Sequence, residues 1–388
     1  MNNLHQTILR EFHRMITRRI YFVACIVLPL FSLVFMATIF GNGRMEDLPV
    51  GVVDADNTSA SRNIIRMVEA TPSLRVIRHY VDEIEAREAV KKKEVYGYLV
   101  IPSDFAEKVG NNEEVTLCYY YHNSMLSVGG ELKATFEELL NEIAVTPIVT
   151  EAVALGEDEQ IITSFLLPVS NDEYPVYNQN RNYTIYLSQP FYFVFLQILL
   201  LLVTTYALGS ESKFVTSADW LDKAGGSIGV AVLGKLLPYS FIFIFMSLLA
   251  NWVFFGLMQI PLFGSFWTMM VVSVLFVFST QAMALFLYAL FPVLGLIISV
   301  VSMFGSLGAT LSGVTFPVSF MDTPVYVVSF FFPVRHFMEI VQSLLYTGGT
   351  FVDYWQSIVV LLLFLVPPIF LLPRLKNAIM THSYEVLE

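Results

Sequence analysis

Cysteine is almost missing from this 388-residue chain. Cys25 lies in an apolar run and Cys118 in a polar block, so no intrachain disulfide is expected and no metal or redox spacing exists. Six histidines (His5, His13, His79, His122, His336 and His382) are scattered without an HExxH pair, which argues against a catalytic metal. Charge is scarce too. Charged residues make up 14% and hydrophobic ones 55%, where soluble domains carry roughly 25% charged residues. No basic face is clustered, so the footprint of nucleic-acid binding is missing. A phosphate loop is also excluded. The stretch GVAVLGKL (Gly229–Leu236) places Leu236 where a P-loop needs Ser or Thr to hold magnesium, and no strand precedes it.

What the chain has instead is six long apolar stretches interrupted by one large polar block. Spans are expected at Ile20–Phe40, Phe191–Gly209, Leu236–Met258, Trp267–Leu290, Gly295–Thr315 and Tyr354–Leu372, because a bilayer core of roughly 30 Å needs about 20 apolar residues per helix. Residues 41–183 hold 24 of the 33 acidic residues and 12 of the 22 Lys and Arg; the acidity belongs to that block. The fold class read from this pattern is an α-helical polytopic membrane protein with an inserted α/β extracytoplasmic domain. Its parts are an amphipathic elbow helix (1–19), the first span (20–40) and the inserted domain (41–183). A transmembrane domain (184–373) follows, with spans two to six and a re-entrant segment near 333–349, and then a cytoplasmic tail (374–388).

Lys and Arg in the short flanks set the orientation. Arg10, Arg14, Arg18 and Arg19 precede span one, Lys213, Lys223 and Lys235 lie between spans two and three, and Arg374 and Lys376 follow span six. Six spans put all of these on one side, the cytoplasm, and both termini with them. The first span, with 21 apolar residues and no clear cleavage site, reads as an uncleaved anchor rather than a signal peptide. On a helical wheel Leu4, Ile8, Leu9, Phe12, Met15 and Ile16 share one arc, opposite Arg10, Arg14 and Arg18. That is the pattern of a helix lying on a membrane with its cationic face in water. Trp267, Tyr354 and Trp355 fall at helix ends, as interfacial rings do.

The six expected spans contain no Asp, Glu, Arg or His. Ion-coupled transporters keep such groups at bilayer depth, so energy is expected from a separate partner. The polar residues left are sparse, Gln197, Asn251 and Gln281 besides hydroxyls, and of these Gln197 and Gln281 are the pathway candidates. In the fifth span Gly305, Ala309 and Gly313 recur every four residues beside Ser302 and Ser306. Such stripes permit close helix packing, within one chain or across a dimer interface.

The polar block alternates strand and helix patterns: strands at Leu48–Val53, Arg75–His79, Tyr96–Ile101 and Val115–Tyr121, with helices at Thr58–Glu69, Asp82–Lys92, Ser103–Val109 and Met125–Leu155. Asp54 and Asp56 lack the glycine and distal glutamate of a calcium loop. Helix capping is their expected role, with Asn57, Ser59 and Ser61 as further caps.

In order and spacing the chain resembles the membrane subunit of type-2 ATP-binding-cassette (ABC) exporters, in the subgroup with a large extracytoplasmic domain after span one. The resemblance rests on VGVVDADNTSASR (Val50–Arg62), GYLVIPSDFAEKV (Gly97–Val109), VYNQNRNYTIYLSQPFYF before span two, LGKLLPY (Leu233–Tyr239), SGVTFPVSFM (Ser312–Met321) and the stretch from Pro333 to Gly348. The family's cytoplasmic coupling signature is reduced here to SESKFVTSADWL, keeping Glu211 and Thr216. The resemblance implies a permease without enzymatic activity or bound cofactor of its own, in a bacterial cytoplasmic (inner) membrane. Its partners would be ABC ATPase subunits carrying ATP and magnesium, a second permease chain (identical or not), the lipid bilayer and a periplasmic adaptor, with no nucleic acid. The implied work is efflux of a drug, lipid, polysaccharide or peptide. Arg10, Arg14, Glu211, Lys213, Asp219 and Trp220 become the ATPase-coupling candidates, with Trp220 expected as an exposed anchor. The alternative from another class is a signalling or assembly platform whose outer domain binds a partner or ligand.

Overall fold

A computed structural model describes residues 3–41, 43, 45–111, 113–154, 176–178 and 181–381. The chain divides into two units, Met1–Gly43 with Val176–Glu388, and Arg44–Pro175. The expected sequence between residues 155 and 175 lies outside the described residues, as do Gln179 and the tail beyond Thr381.

The first unit is helical. Among the described residues, five helices are long and apolar enough to cross a bilayer: Arg19–Ile39, Thr184–Lys213, Ile228–Leu257, Phe266–Leu290 and Phe351–Met380, here spans one to four and the last span. The expected fifth span is shorter than read from the sequence. Its helix, Leu294–Thr310, has 17 residues and extends only about 25 Å at 1.5 Å per residue. The chain then turns through Gly313, whose φ of +84° suits a residue without a Cβ. The last span starts earlier and ends later than expected. It runs past Pro367 and Pro368 because both sit in the first turn of its second segment, where a missing N–H leaves no helix bond unmade.

Between them lie two helices, Thr323–Ser329 and Pro333–Thr347, bent by 94°. The break follows from Pro333. Phe332 before it is extended, at φ −104° and ψ 115°, as a residue preceding proline prefers. The second arm carries Phe337 into the middle of the unit, where its ring centroid lies 4.3 Å from that of Phe276 and 4.7 Å from that of Phe193. Spans two and four also pack on each other, with the Phe193 and Phe276 centroids 6.0 Å apart, and both take this arm against them.

The second unit carries a four-stranded sheet in the order β2-β1-β3-β4, where β1 is Leu48–Asp54, β2 Leu74–Tyr80, β3 Gly97–Ile101 and β4 Cys118–Tyr121. β1 pairs parallel with β2 and β3, and β4 pairs antiparallel to β3. Val50, Val52, Leu99 and Ile101 pack on one face against Ile64, Val68, Leu132 and Phe136. On the other, Val53 and Tyr98 meet Ala86 and Ala89. Gly51 is required where it stands, since a Cβ there would lie 2.3 Å from the Tyr80 ring. The helix after β1 is capped by Thr58 with Ser61, not by Asn57 or Ser59. Asp54 accepts from the Asp56 and Asn57 amides and the Ser61 hydroxyl, and Asp56 from the Thr58 hydroxyl and the Ala106 amide. Both carboxylates are thus spent on the loop.

Candidate functional site

The N-terminal helix, Asn3–Thr17, lies against span three with its cationic arc, which was expected to face water, turned to protein. Thr7, Glu11 and Arg14 are buried, while Leu9, Phe12 and Ile16 are exposed. The polar arc therefore faces protein together with Met15 at the edge of the apolar arc, and Leu9, Phe12 and Ile16 are left for a hydrophobic surrounding. Gly234 makes the approach close enough, because a Cβ there would lie 2.7 Å from the Thr7 Cβ.

At this contact four elements bring six charges together. Glu211, near the end of span two, accepts both guanidinium nitrogens of Arg10 at 2.8 and 2.9 Å. The same carboxylate takes Arg14, the Thr216 hydroxyl and, at 2.5 Å, the Lys235 ammonium. Glu11 completes the set: it accepts from Lys235 at 2.6 Å and from the Tyr239 hydroxyl at 2.7 Å. Arg10 also reaches Asp219 on the short loop helix Ser217–Lys223 at 3.2 Å. Arg14 bonds the Ser210 hydroxyl at 3.0 Å, and that hydroxyl sits 3.2 Å from the Tyr21 oxygen.

Three cations face three carboxylates, so the cluster is balanced. Balance matters because Lys235 and Glu211 are both fully buried, and an isolated buried charge costs several kcal/mol. Bidentate Arg–carboxylate bonds are the strongest of the usual side-chain pairs. Burial works against the Arg10 charge, but the Glu211 hydrogen bond and the fields of Glu211, Glu11 and Asp219 outweigh it and raise its pKa above the ordinary value. Arg10 is a permanent cation here.

Trp220, expected as an exposed anchor, is fully buried. Its indole N–H donates to the Ala231 carbonyl at 3.2 Å, and the Lys235 ammonium lies 5.2 Å from its ring. The physical reason is helix periodicity. In the short loop helix the face carrying Ser217, Trp220 and Leu221 turns inward, and the face carrying Ala218, Asp219 and Asp222 turns outward. Lys213, Phe214 and Val215 are exposed beside that outer face. Val215 holds a left-handed φ of +54°, which a β-branched residue rarely adopts.

Two residues of this cluster escape a sequence reading, Glu11 and Lys235. Glu11 is the one acid among the first 19 residues, and Lys235 precedes Tyr239 by one helical turn. Those were the available signals. Glu211 and Lys235 also lie within the helices of spans two and three, which run beyond the apolar stretches Phe191–Gly209 and Leu236–Met258; those stretches themselves hold no Asp, Glu, Arg or His.

The remaining candidates are distributed elsewhere. Gln197 is buried and accepts from the Val334 amide at 2.9 Å, tying span two to the bent arm. Gln281 is buried and accepts from the Ser240 hydroxyl at 2.6 Å, tying span four to span three. Both serve contacts inside the chain. The stripe on Leu294–Thr310 divides. Gly305 abuts Ile198 of span two, where a Cβ would lie 2.9 Å from the Ile198 Cγ1. Ala309 is half-buried and Gly313 forms the turn, while Ser302 and Ser306 lie exposed with their hydroxyls turned back to their own helix.

A family profile described as ABC-2 family transporter protein matches residues 19–371. No curated protein matches the chain.

Proposed function

Because this chain belongs to the ABC-2 family of transporter proteins, and so is a multi-pass membrane permease component that works with ABC ATPase subunits, we propose that it is the permease half of an exporter driven through its buried charge cluster. Two permease chains pair around a pathway, and the exposed hydroxyl face of Ser302 and Ser306 is a surface for that pairing. Separate ATPase subunits, carrying ATP and magnesium, engage the outer face of the loop helix and its neighbours: Lys213, Phe214, Val215, Asp219 and Asp222. The cargo is an extracytoplasmic-bound drug, lipid, polysaccharide or peptide, and the membrane is a bacterial cytoplasmic one.

One observation carries this reading. Arg10, Glu11, Arg14, Glu211, Asp219 and Lys235 join the N-terminal helix, the loop helix and spans two and three through ionic hydrogen bonds. A push on the exposed loop is then transmitted to two spans and the N-terminal helix together, instead of being absorbed by a soft loop. Glu211 and Thr216, the two residues kept from the family's coupling signature, are bonded to each other inside that joint.

The test is co-purification of the permease with its co-expressed neighbours. An ABC ATPase should accompany the wild type, and the double variant Phe214→Ala, Asp222→Lys, at two exposed positions outside the charge cluster, should retain the fold while losing most of that ATPase. Absence of any ATPase from the wild-type sample would remove the proposal. The sidedness has its own test. In a Cys118→Ser background, Asn111→Cys should label with an impermeant maleimide in intact cells, and Ala218→Cys should be protected until the cells are opened. The reverse pattern contradicts the assigned orientation.

A further inference from the structure

A further buried cation stands apart from this cluster. Arg335, in the first turn of the arm Pro333–Thr347, is 95% buried, with a relative exposure of 5%. Unlike Arg14 and Lys235 it has no carboxylate within 4.0 Å among the described residues. Its Nε has no hydrogen-bond partner there. One terminal nitrogen lies 3.4 Å from the His336 Nδ1, and the guanidinium stacks on the Phe330 ring at 4.0 Å and faces the Tyr326 ring at 5.2 Å. Aromatic faces stabilise a guanidinium only by about 0.5–2 kcal/mol. That is small against the several kcal/mol of burying an unpaired charge.

Arg335 lines a cavity of about 460 Å³, within the size range of small-ligand sites. Its polar wall includes Tyr186, Gln342, Ser319 and Glu339. Tyr186 and Gln342 donate to the Val314 and Gly313 carbonyls, at 2.7 and 3.1 Å, which fixes the wall. Glu339 does not neutralise Arg335: its carboxylate accepts from the Ser357 hydroxyl at 2.7 Å and the residue is exposed. The segment that forms the apolar wall, through Val314, Pro317 and Val318, also exposes Phe316 and Phe320.

We infer that this cavity binds the acidic head group of an amphiphile, a phosphate or carboxylate held by Arg335, with its hydrocarbon chain along Phe316 and Phe320. A bilayer lipid and a transported amphiphile share that chemistry. The inference does not rest on ATPase coupling, so its failure leaves the exporter reading standing.

The test uses the full-length chain, delipidated in neutral detergent, and measures binding of dodecyl phosphate. Wild type should bind it at least about tenfold more tightly than dodecylphosphocholine, the scale of one charge-assisted hydrogen bond. Arg335→Gln should abolish the preference. Ser319→Trp, an exposed site whose new ring fills the cavity while Arg335 remains, should also weaken binding at least about tenfold, and it decides the matter if the arginine variant fails to fold. Glu339→Gln should leave the preference in place. Displacement of dodecyl phosphate by dioleoyl phosphatidylglycerol identifies a bilayer lipid as the source; binding that this lipid does not displace identifies a free amphiphile. Equal affinity for the two dodecyl probes, or wild-type affinity in Ser319→Trp, overturns the assignment.

Discussion

Glu211→Gln should cost about 3–5 kcal/mol of stability, the usual result of removing one partner from a buried ionic group. The carboxylate answers Arg10, Arg14 and Lys235 at once. Its loss leaves Glu11 on Lys235 and Asp219 on Arg10, and leaves Arg14 without a carboxylate within 4.0 Å among the described residues. The expected readout is a lowered melting temperature in detergent and faster tryptic cleavage after Arg10 and Arg14, since the N-terminal helix loses its hold. Adding Lys235→Met removes one of the three cations and should restore part of the loss, a coupling of roughly 0.5–3 kcal/mol. Lys213→Ala, at an exposed position on the same loop, should change stability by less than about 0.5 kcal/mol. A melting curve for Glu211→Gln that matches the Lys213→Ala control would show that the cluster is not structural.

Trp220→Ala should be nearly as damaging, at about 3–5 kcal/mol, because it empties a fully buried indole site. The variant also leaves the Ala231 carbonyl without its donor and the Lys235 ammonium without its aromatic neighbour. Trp220→Phe keeps a ring and should lose clearly less. ATPase recovered per folded permease separates the two roles open to this residue. Loss of ATPase in proportion to loss of fold means that Trp220 supports the docking surface from beneath. Full stability with selectively lost ATPase would mean that the indole is a contact residue, contrary to its burial.

The strand and helix alternation of residues 48–121 was legible from local pattern, because period-two and period-3.6 burial are properties of neighbouring residues. β2, read as Arg75–His79, runs one residue further at each end, as fraying boundaries do. Span number was less legible. Apolar length shows that Leu294–Thr310 is a hydrophobic helix, but not that it stops after 17 residues at a turn built by Gly313. The wheel of the N-terminal helix separates its two faces, but the cationic one, expected in water, meets protein instead. Periodicity tells that a polar arc exists; it does not tell that Glu211 and Lys235, more than 190 residues away, await it. The inward turn of Trp220 has the same origin, since a seven-residue helix carries too few positions to reveal its buried face. Composition and spacing determined the class of this protein and the rough extent of its helices, both of which depend on apolar length. Tertiary packing decided which charges are neutralised inside, at Glu11, Glu211 and Lys235, and which one, Arg335, is left facing a cavity. Ionic pairing depends on distances between segments that sequence order does not encode.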